Sequence, residues 1–127
     1  MGYDVDFVQL SAPTGTVFPV EPKTAAKLLK KATPFGDPAA VRDILLTIEG
    51  TRPGPKDAVD YLGRGLSYAR LTARRDTIHV ENNCSAGELI KVHGQLAKLL
   101  PGLLILDLQS RQLHDAESFA AWWAKPL

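Results

Sequence analysis

Apolar and acidic residues alternate at the start of the chain. Tyr3, Val5 and Phe7 are separated by Asp4 and Asp6, and a period of two is typical of a strand with one buried and one solvated face. The pattern therefore predicts a first strand whose apolar face contributes to a core.

Helical periodicity follows in two segments. The first begins at Pro22, which suits the first turn of a helix because its missing N–H would have no partner there. The second runs from Asp37, a capping residue, through Pro38 in the first turn to Gly50 at the end. Its apolar positions form one stripe, Val41, Ile44, Leu45 and Ile48.

The middle of the chain is predicted as a loop, a short helical segment and a hairpin. Residues 51–56 (TRPGPK) are rich in proline and glycine, and residues 57–63 (DAVDYLG) are interpreted as one or two helical turns. Apolar and polar residues then alternate within 66–82 on both sides of the polar triplet 74–76, as in a β-hairpin.

The C-terminal part predicts a helix, a strand and a closing helix. Residues 85–100 are amphipathic, and residues 103–108 (LLILDL) form the nearly all-apolar run expected of a central strand. A turn (QSRQ) follows, and Asp115 is placed to cap a short helix containing Phe119.

This order of elements predicts one α+β domain over residues 1–127. We expect a single-layer, mainly antiparallel sheet with helices on one face. The order strand, helices, two strands, helix, strand matches a ferredoxin-like split β-α-β plan with an extra helix after the first strand.

Composition limits the classes of function. The chain has a net charge of +1, so no global field favours nucleic acid or a membrane as partner. A single cysteine forms neither an internal disulfide nor a cysteine-based zinc site, and a reducing compartment is expected. Neither a basic secretory leader nor an apolar run of the roughly 18 residues that span a bilayer is present, so we expect a cytoplasmic protein.

The stretch most suggestive of catalysis is TIHVENNCSAGELIKVHGQL, residues 77–96. It contains the one cysteine, Cys84, together with His79 and His93. A thiolate nucleophile needs a base within hydrogen-bonding distance. The predicted strand and helix give Cys84 no geometric reason to meet either histidine, so no catalytic residue is predicted.

Cys84 has a structural interpretation instead. Ser85 and Glu88 have the spacing of a capping box, which places Cys84 just before the cap and Leu89 four residues into the helix. A small apolar side chain there packs on that leucine. The helix dipole can lower a thiol pKa at this position, so a reactive thiol remains the alternative.

Basic residues cluster around the predicted hairpin. Arg64, Arg70, Arg74 and Arg75 lie there with Tyr68. They form either a face that binds phosphate or an acidic partner, or a solvated edge that blocks strand-to-strand aggregation. A second cationic stripe consists of Lys23, Lys27, Lys30 and Lys31. It is interpreted as a solvated helix face, and the alternative is a surface that binds an acidic partner.

Two further groups complete the candidates. Asp4, Asp6 and Glu81 could face the same side of the sheet; we expect them to pair with arginines across strands rather than to bind a metal. Of Trp122 and Trp123, at least one should pack on the sheet with Phe119. The other, for which we choose Trp123, is a candidate interface residue.

An RNA-recognition domain with this element order needs aromatic side chains on the solvated face of its central strands. Residues 77–82 present Thr77, His79 and Glu81 there. We therefore expect no nucleic-acid partner.

Residues 87–123, GELIKVHGQLAKLLPGLLILDLQSRQLHDAESFAAWW, carry a family resemblance. An amphipathic helix ending in Leu-Pro, an apolar strand ending in Asp-x-Gln and a Phe/Trp-containing helix resemble the C-terminal half of small bacterial immunity proteins. These accompany contact-dependent growth-inhibition toxins and other polymorphic toxins. Many of them are strongly acidic, and the net charge of +1 departs from that pattern.

The resemblance implies a non-catalytic cytoplasmic protein, without cofactor, that neutralises a cognate toxin by binding and occluding its C-terminal toxin domain. We expect a monomer or weak homodimer, with partner-binding residues Arg64, Tyr68, Arg70, Arg74, Arg75 and Trp123. The alternative is a small-ligand-binding or regulatory α+β domain that acts as a dimer, with a sheet edge as its candidate interface.

Overall fold

The computed structural model describes residues 4–65 and 67–123, without the side chains of Ala86 and Trp123. This part of the chain forms strands and helices in the following order: β1 (Val5–Gln9), α1 (Pro22–Leu29), α2 (Pro38–Leu45), β2 (Thr51–Pro53), β3 (Val59–Leu62), β4 (Tyr68–Ala73), β5 (Thr77–Asn82), α3 (Ala86–Leu99), β6 (Leu103–Asp107), β7 (Leu113–His114) and α4 (Ala116–Trp123).

The strands form one open antiparallel sheet in the order β2-β3-β4-β5-β1-β6-β7. The α+β class and the antiparallel sheet are therefore confirmed. The N-terminal strand lies near the middle, between β5 and β6, although Tyr3 is outside the described residues.

The larger core lies on one face of the sheet, beneath α2, α3 and α4. Phe7 of β1 and Ile105 of β6 are fully buried there and pair directly across the two strands. Each helix contributes apolar side chains to the same cluster, among them Leu45, Leu89 and Phe119.

The prediction that all helices lie on one face is wrong for α1. Because successive side chains of a strand point to opposite faces, Val8 and Leu106 are turned away from the larger core. They pack with Ala25 of α1 and with Leu113 of β7 in a second, smaller core. Helix α1 thus covers the second face of the sheet, but only over β1, β6 and β7.

Two segments of the middle region were predicted wrongly. Within the segment 57–63 that was predicted as helical turns, residues 59–62 form strand β3, and residues 51–53 of the predicted loop form the edge strand β2. The physical reason is long-range pairing: Val59 and Tyr61 are buried in the larger core while β3 forms a ladder with β4. Strand β7 was not predicted, because two residues carry no periodicity.

The predicted caps account for three helix starts. Asp37 Oδ1 accepts the Ala39 N–H at 3.0 Å, Asp115 Oδ1 accepts that of Ser118 at 2.8 Å, and Ser85 Oγ accepts that of Glu88 at 3.4 Å. None of the helices in the described residues has the length and apolarity needed to cross a membrane.

Candidate functional site

The second face of the sheet is only half covered. The smaller core beneath α1 contains no described residue of β3, β4 or β5, so these strands and the start of β1 present their outward side chains without a helix above them. We call this surface the open sheet face. Its side chains are Asp4, Asp6, Asp60, Leu62, Tyr68, Arg70, Thr72, His79 and Glu81.

Opposite charges alternate across four strands of this sheet. Arg52 of β2 stands opposite Asp60 of β3, Asp60 opposite Arg70 of β4, and Arg70 opposite Glu81 of β5. Directly opposed residues of unlike charge stabilise an antiparallel pair. The register therefore holds Asp60, Arg70 and Glu81 of the open sheet face in a fixed row with Arg52 of the edge strand.

Asp60 and Arg70 form the centre of that row. Arg70 Nε donates to Asp60 Oδ1 at 2.9 Å and its Nη2 to Oδ2 at 3.4 Å, the forked geometry that suits a carboxylate. Hydrogen bonding to Arg70 holds the pKa of Asp60 below its ordinary value. The Arg70 guanidinium also lies over the Tyr68 ring, 5.9 Å from its centre.

A second pair lies one residue row further along the strands. His79 Nδ1 donates to Asp6 Oδ1 at 2.8 Å, and Asp4 Oδ2 lies 3.9 Å from His79 Nε2. Asp6 of β1 and the preceding Asp4 therefore meet a histidine rather than the predicted arginines. Among the described residues there is no group of three or more side chains suited to hold a metal ion.

A shallow concavity of about 260 Å³ lies at one end of the open sheet face. This volume is below the usual range for small-molecule sites, which begins at about 300 Å³, and suits a single side chain better. Its walls are polar: Asp4, Tyr68, Arg70, Glu81, Asn82 and Asn83.

Cys84 belongs to the opposite side of the molecule. It is buried in the larger core, in the same cluster as Leu89, and its N–H donates to Asn82 Oδ1 at 2.9 Å. Burial, followed by the nearby Glu88 carboxylate, raises the pKa of the thiol to about 11. A thiol in this state is almost entirely protonated at neutral pH.

Neither histidine of the 77–96 stretch is directed at Cys84 by its hydrogen bonds. His93 Nε2 donates to the Leu103 carbonyl at 2.8 Å, and burial lowers the pKa of its imidazole. His79 is held by Asp6 on the open sheet face. The packing interpretation of Cys84 agrees with this geometry.

Only half of the predicted capping box forms. The Glu88 carboxylate accepts a hydrogen bond from the Tyr61 hydroxyl instead of returning to the cap. This bond ties the start of α3 to β3. A Cβ on Gly63 would lie 2.7 Å from Glu88 Oε2, so the absence of a side chain there leaves room for the bond.

Tyr61 and Asp60 were not among the predicted site residues, because residues 57–63 were predicted to be helical.

The predicted partner-binding residues occupy two regions. Tyr68 and Arg70 lie on the open sheet face, and Arg64 is exposed in the loop just before β4. Arg74 and Arg75 are exposed in the turn after β4. A strand of this length spans about 20 Å, which separates the turn from the loop. The side chain of Trp123 lies outside the described part of the chain.

Asp60 and His79 join Tyr68 and Arg70 on the open sheet face without having been predicted as site residues.

Comparisons of the chain with protein-family models, with curated proteins and with solved structures found no match.

Proposed function

We propose that this protein is a non-catalytic binding domain that recognises another protein through its open sheet face. The observation that carries the proposal is the uncovered half of the sheet, where the aromatic side chain of Tyr68 and the charged side chain of Arg70 are held in place and accessible. Tyr68 and Arg70 are residue types that contribute strongly to binding at protein interfaces. Leu62 stands opposite Tyr68 and is 43% exposed, which adds an apolar contact.

The order of these side chains supports the proposal further. Arg70 is fixed by Asp60 and by the Tyr68 ring, so little conformational entropy is lost when a partner docks on it. A surface held by its own hydrogen bonds in the free protein is suited to rapid and specific association.

Within this class, we propose a cytoplasmic immunity protein that occludes a cognate bacterial toxin. Support comes from the resemblance carried by residues 87–123, which fold as α3, β6, β7 and α4. The protonated, buried Cys84 and the engaged histidines also favour a protein that acts by binding rather than by catalysis.

We also propose that the central strands belong to a ferredoxin-like unit. Their order β4-β5-β1-β6, with α3 joining β5 to β6, supports this reading. The pair β2 and β3 would then be an insertion between the first helices and β4, and β7 an addition after β6.

One observation favours the alternative of a ligand-binding domain. An apolar concavity of about 470 Å³ lies between α1 and the preceding loop, with Val17, Val20 and Leu28 in its walls. Its volume falls in the range of small-molecule sites. A metabolite screen by thermal shift, with Leu28→Asp as the variant that should abolish any hit, tests this alternative.

The test of the leading proposal is co-expression with the product of the adjacent upstream gene in the native host. We expect a one-to-one complex and restored growth. Tyr68→Ala should weaken the complex by about 2 kcal/mol or more, roughly thirtyfold, because it removes an aromatic contact. Tyr68→Phe, which keeps the ring, should bind nearly as well as the natural protein.

Leu62→Ser, which removes the exposed apolar contact of the open sheet face, should also weaken the complex. Its matched control is Val17→Ser, because Val17 is an aliphatic residue, 81% exposed, in the loop before α1. The control should leave affinity unchanged. A complex whose affinity is insensitive to both Tyr68→Ala and Leu62→Ser would place the interface elsewhere. A chain that neither forms a complex nor restores growth would contradict the immunity proposal.

A further inference from the structure

Three segments distant in sequence meet at the end of the sheet where β1 finishes and β5 and β6 begin. The Thr33 N–H donates to the Gln9 carbonyl and the Phe35 N–H to the Arg75 carbonyl, both at 2.8 Å. The Gln9 side chain in turn donates to the Pro101 carbonyl at 3.0 Å. These bonds fix the segment after α1, the β4–β5 turn and the end of α3 beside one another.

The three segments bring exposed cations together. We call this surface the basic end, and it consists of Lys30, Lys31, Arg74, Arg75 and Lys98. The segments 30–35, 74–76 and 98–102 contain a single acidic residue, Asp76. The concentration of positive charge is hidden in the sequence, where these residues lie in separate elements and the net charge is only +1.

The cations of the basic end differ from those of the open sheet face in their pairing. Among the described residues, ion pairs within 4.0 Å join Arg70 to Asp60 and His79 to Asp4 and Asp6. No described carboxylate forms such an ion pair with a cation of the basic end. Its field therefore extends into solvent, where it can attract an opposite charge over about one Debye length, roughly 8 Å at physiological ionic strength.

An exposed leucine narrows the choice of ligand. Leu99 is 51% exposed and directly follows Lys98 in the last turn of α3. An apolar contact surrounded by charge is the arrangement of a protein interface. Binding to a nucleic-acid backbone is dominated by phosphate contacts, which do not require an exposed aliphatic side chain.

We propose that the basic end binds an acidic surface of a protein partner, with Leu99 as its apolar contact. The proposal rests on the protein-binding function above and adds the chemistry of the partner. Unpaired charges at an interface mainly accelerate association and select partners of opposite charge. The basic end would thus steer the partner, while the open sheet face, formed in part by the two strands that the β4–β5 turn joins, supplies an ordered contact.

The test uses a fluorescent synthetic peptide of Glu-Asp-Leu repeats as a probe, with binding followed by anisotropy at low and at physiological ionic strength. The variant Lys31→Glu/Arg74→Glu reverses two charges of the basic end. Its control, Lys23→Glu/Lys91→Glu, reverses two exposed lysines outside the basic end and has the same net charge. Circular dichroism verifies that both variants are folded.

We expect the basic-end variant to lose affinity for the peptide on the order of tenfold or more, and the control to lose much less. Added salt should weaken binding of the natural protein and of the control more than that of the basic-end variant. Leu99→Ser should also weaken binding. Equal losses in the two charge variants, or no binding of the peptide at all, would overturn the proposal.

Two further probes decide the ligand class. Tighter binding to single-stranded DNA, or to vesicles containing phosphatidylserine, than to the acidic peptide would overturn the assignment to a protein. The test is also separable from that of the proposed function. If co-expression gives no complex while the charge variants behave as expected, the toxin proposal fails and the basic end stands. If a complex forms and is insensitive to Lys31→Glu/Arg74→Glu, the basic end fails alone.

Discussion

Asp60 shows how a carboxylate stays ionised although it is buried. It is 8% exposed, and desolvation alone would raise the pKa of its carboxyl. The forked hydrogen bond from Arg70 outweighs that effect, so the pKa is lowered and the carboxylate is retained. Removing only Arg70 would take away the strongest partner of this buried carboxylate, and for that reason Tyr68 is the better probe of binding.

Cys84 gives a prediction at the same scale. Because burial raises the pKa of its thiol to about 11, the thiolate is scarce at pH 8 and the folded protein should react slowly with a thiol reagent. The rate should increase steeply with pH, and labelling should be complete at once in denaturant. Rapid labelling of the folded protein near neutral pH would instead support the reactive-thiol alternative.

Among the elements, α1 has the placement that matters most for the candidate site. It packs against β1, β6 and β7 on the second face and thereby divides that face into a covered and an open half. The chain then passes around the end of the sheet, where Thr33 and Phe35 bond to the strand ends, and reaches α2 on the opposite face. The open sheet face exists because α1 stops short of β5.

The smaller core beneath α1 can be tested by a truncation. Leu113 of β7 is fully buried there, and its backbone is bridged to Val20. Leu113→Ala should lower the free energy of unfolding by about 2–5 kcal/mol, the range for a buried leucine whose site cannot collapse. Urea denaturation measures this change. A cost below about 1 kcal/mol would mean that α1 contributes no packed layer.

For the whole molecule, the sheet edges bear on association. One edge strand, β2, has three residues and ends at Pro53, which has no N–H to offer a partner strand. The other, β7, has two residues and is covered on its free side by the bridge from Val20. Short, interrupted edges discourage pairing between chains.

We therefore predict a monomer. Light scattering coupled to gel filtration should give a mass near 13.8 kDa at all concentrations that can be measured. The basic end adds mutual repulsion between copies, so lowering the ionic strength should not promote association. A dimer that persists on dilution would contradict this prediction and favour the regulatory alternative.

Local signals were sufficient for the elements that are bounded by their own residues. Asp37, Ser85 and Asp115 stand before the helices that they cap, and the alternation around residues 74–76 forms the expected hairpin. Residues 57–63 were predicted wrongly because Val59 and Tyr61 become a strand only by pairing with β4. The predicted second helix was also too long: α2 ends at Leu45, and turns lead the chain on to Gly50, where φ is +89°.

The candidate surfaces likewise combine features that local sequence predicts with features that depend on long-range contacts. Neighbours along the chain were sufficient to predict the α+β class, the helix starts, the buried position of Cys84 and the presence of arginines near Tyr68. Which charges are paired and which are exposed depends instead on contacts between segments far apart in sequence, since Arg70 meets Asp60 of the neighbouring strand and Arg75 meets the segment after α1. Register and helix placement are set by burial summed over the whole fold, and no local pattern encodes them.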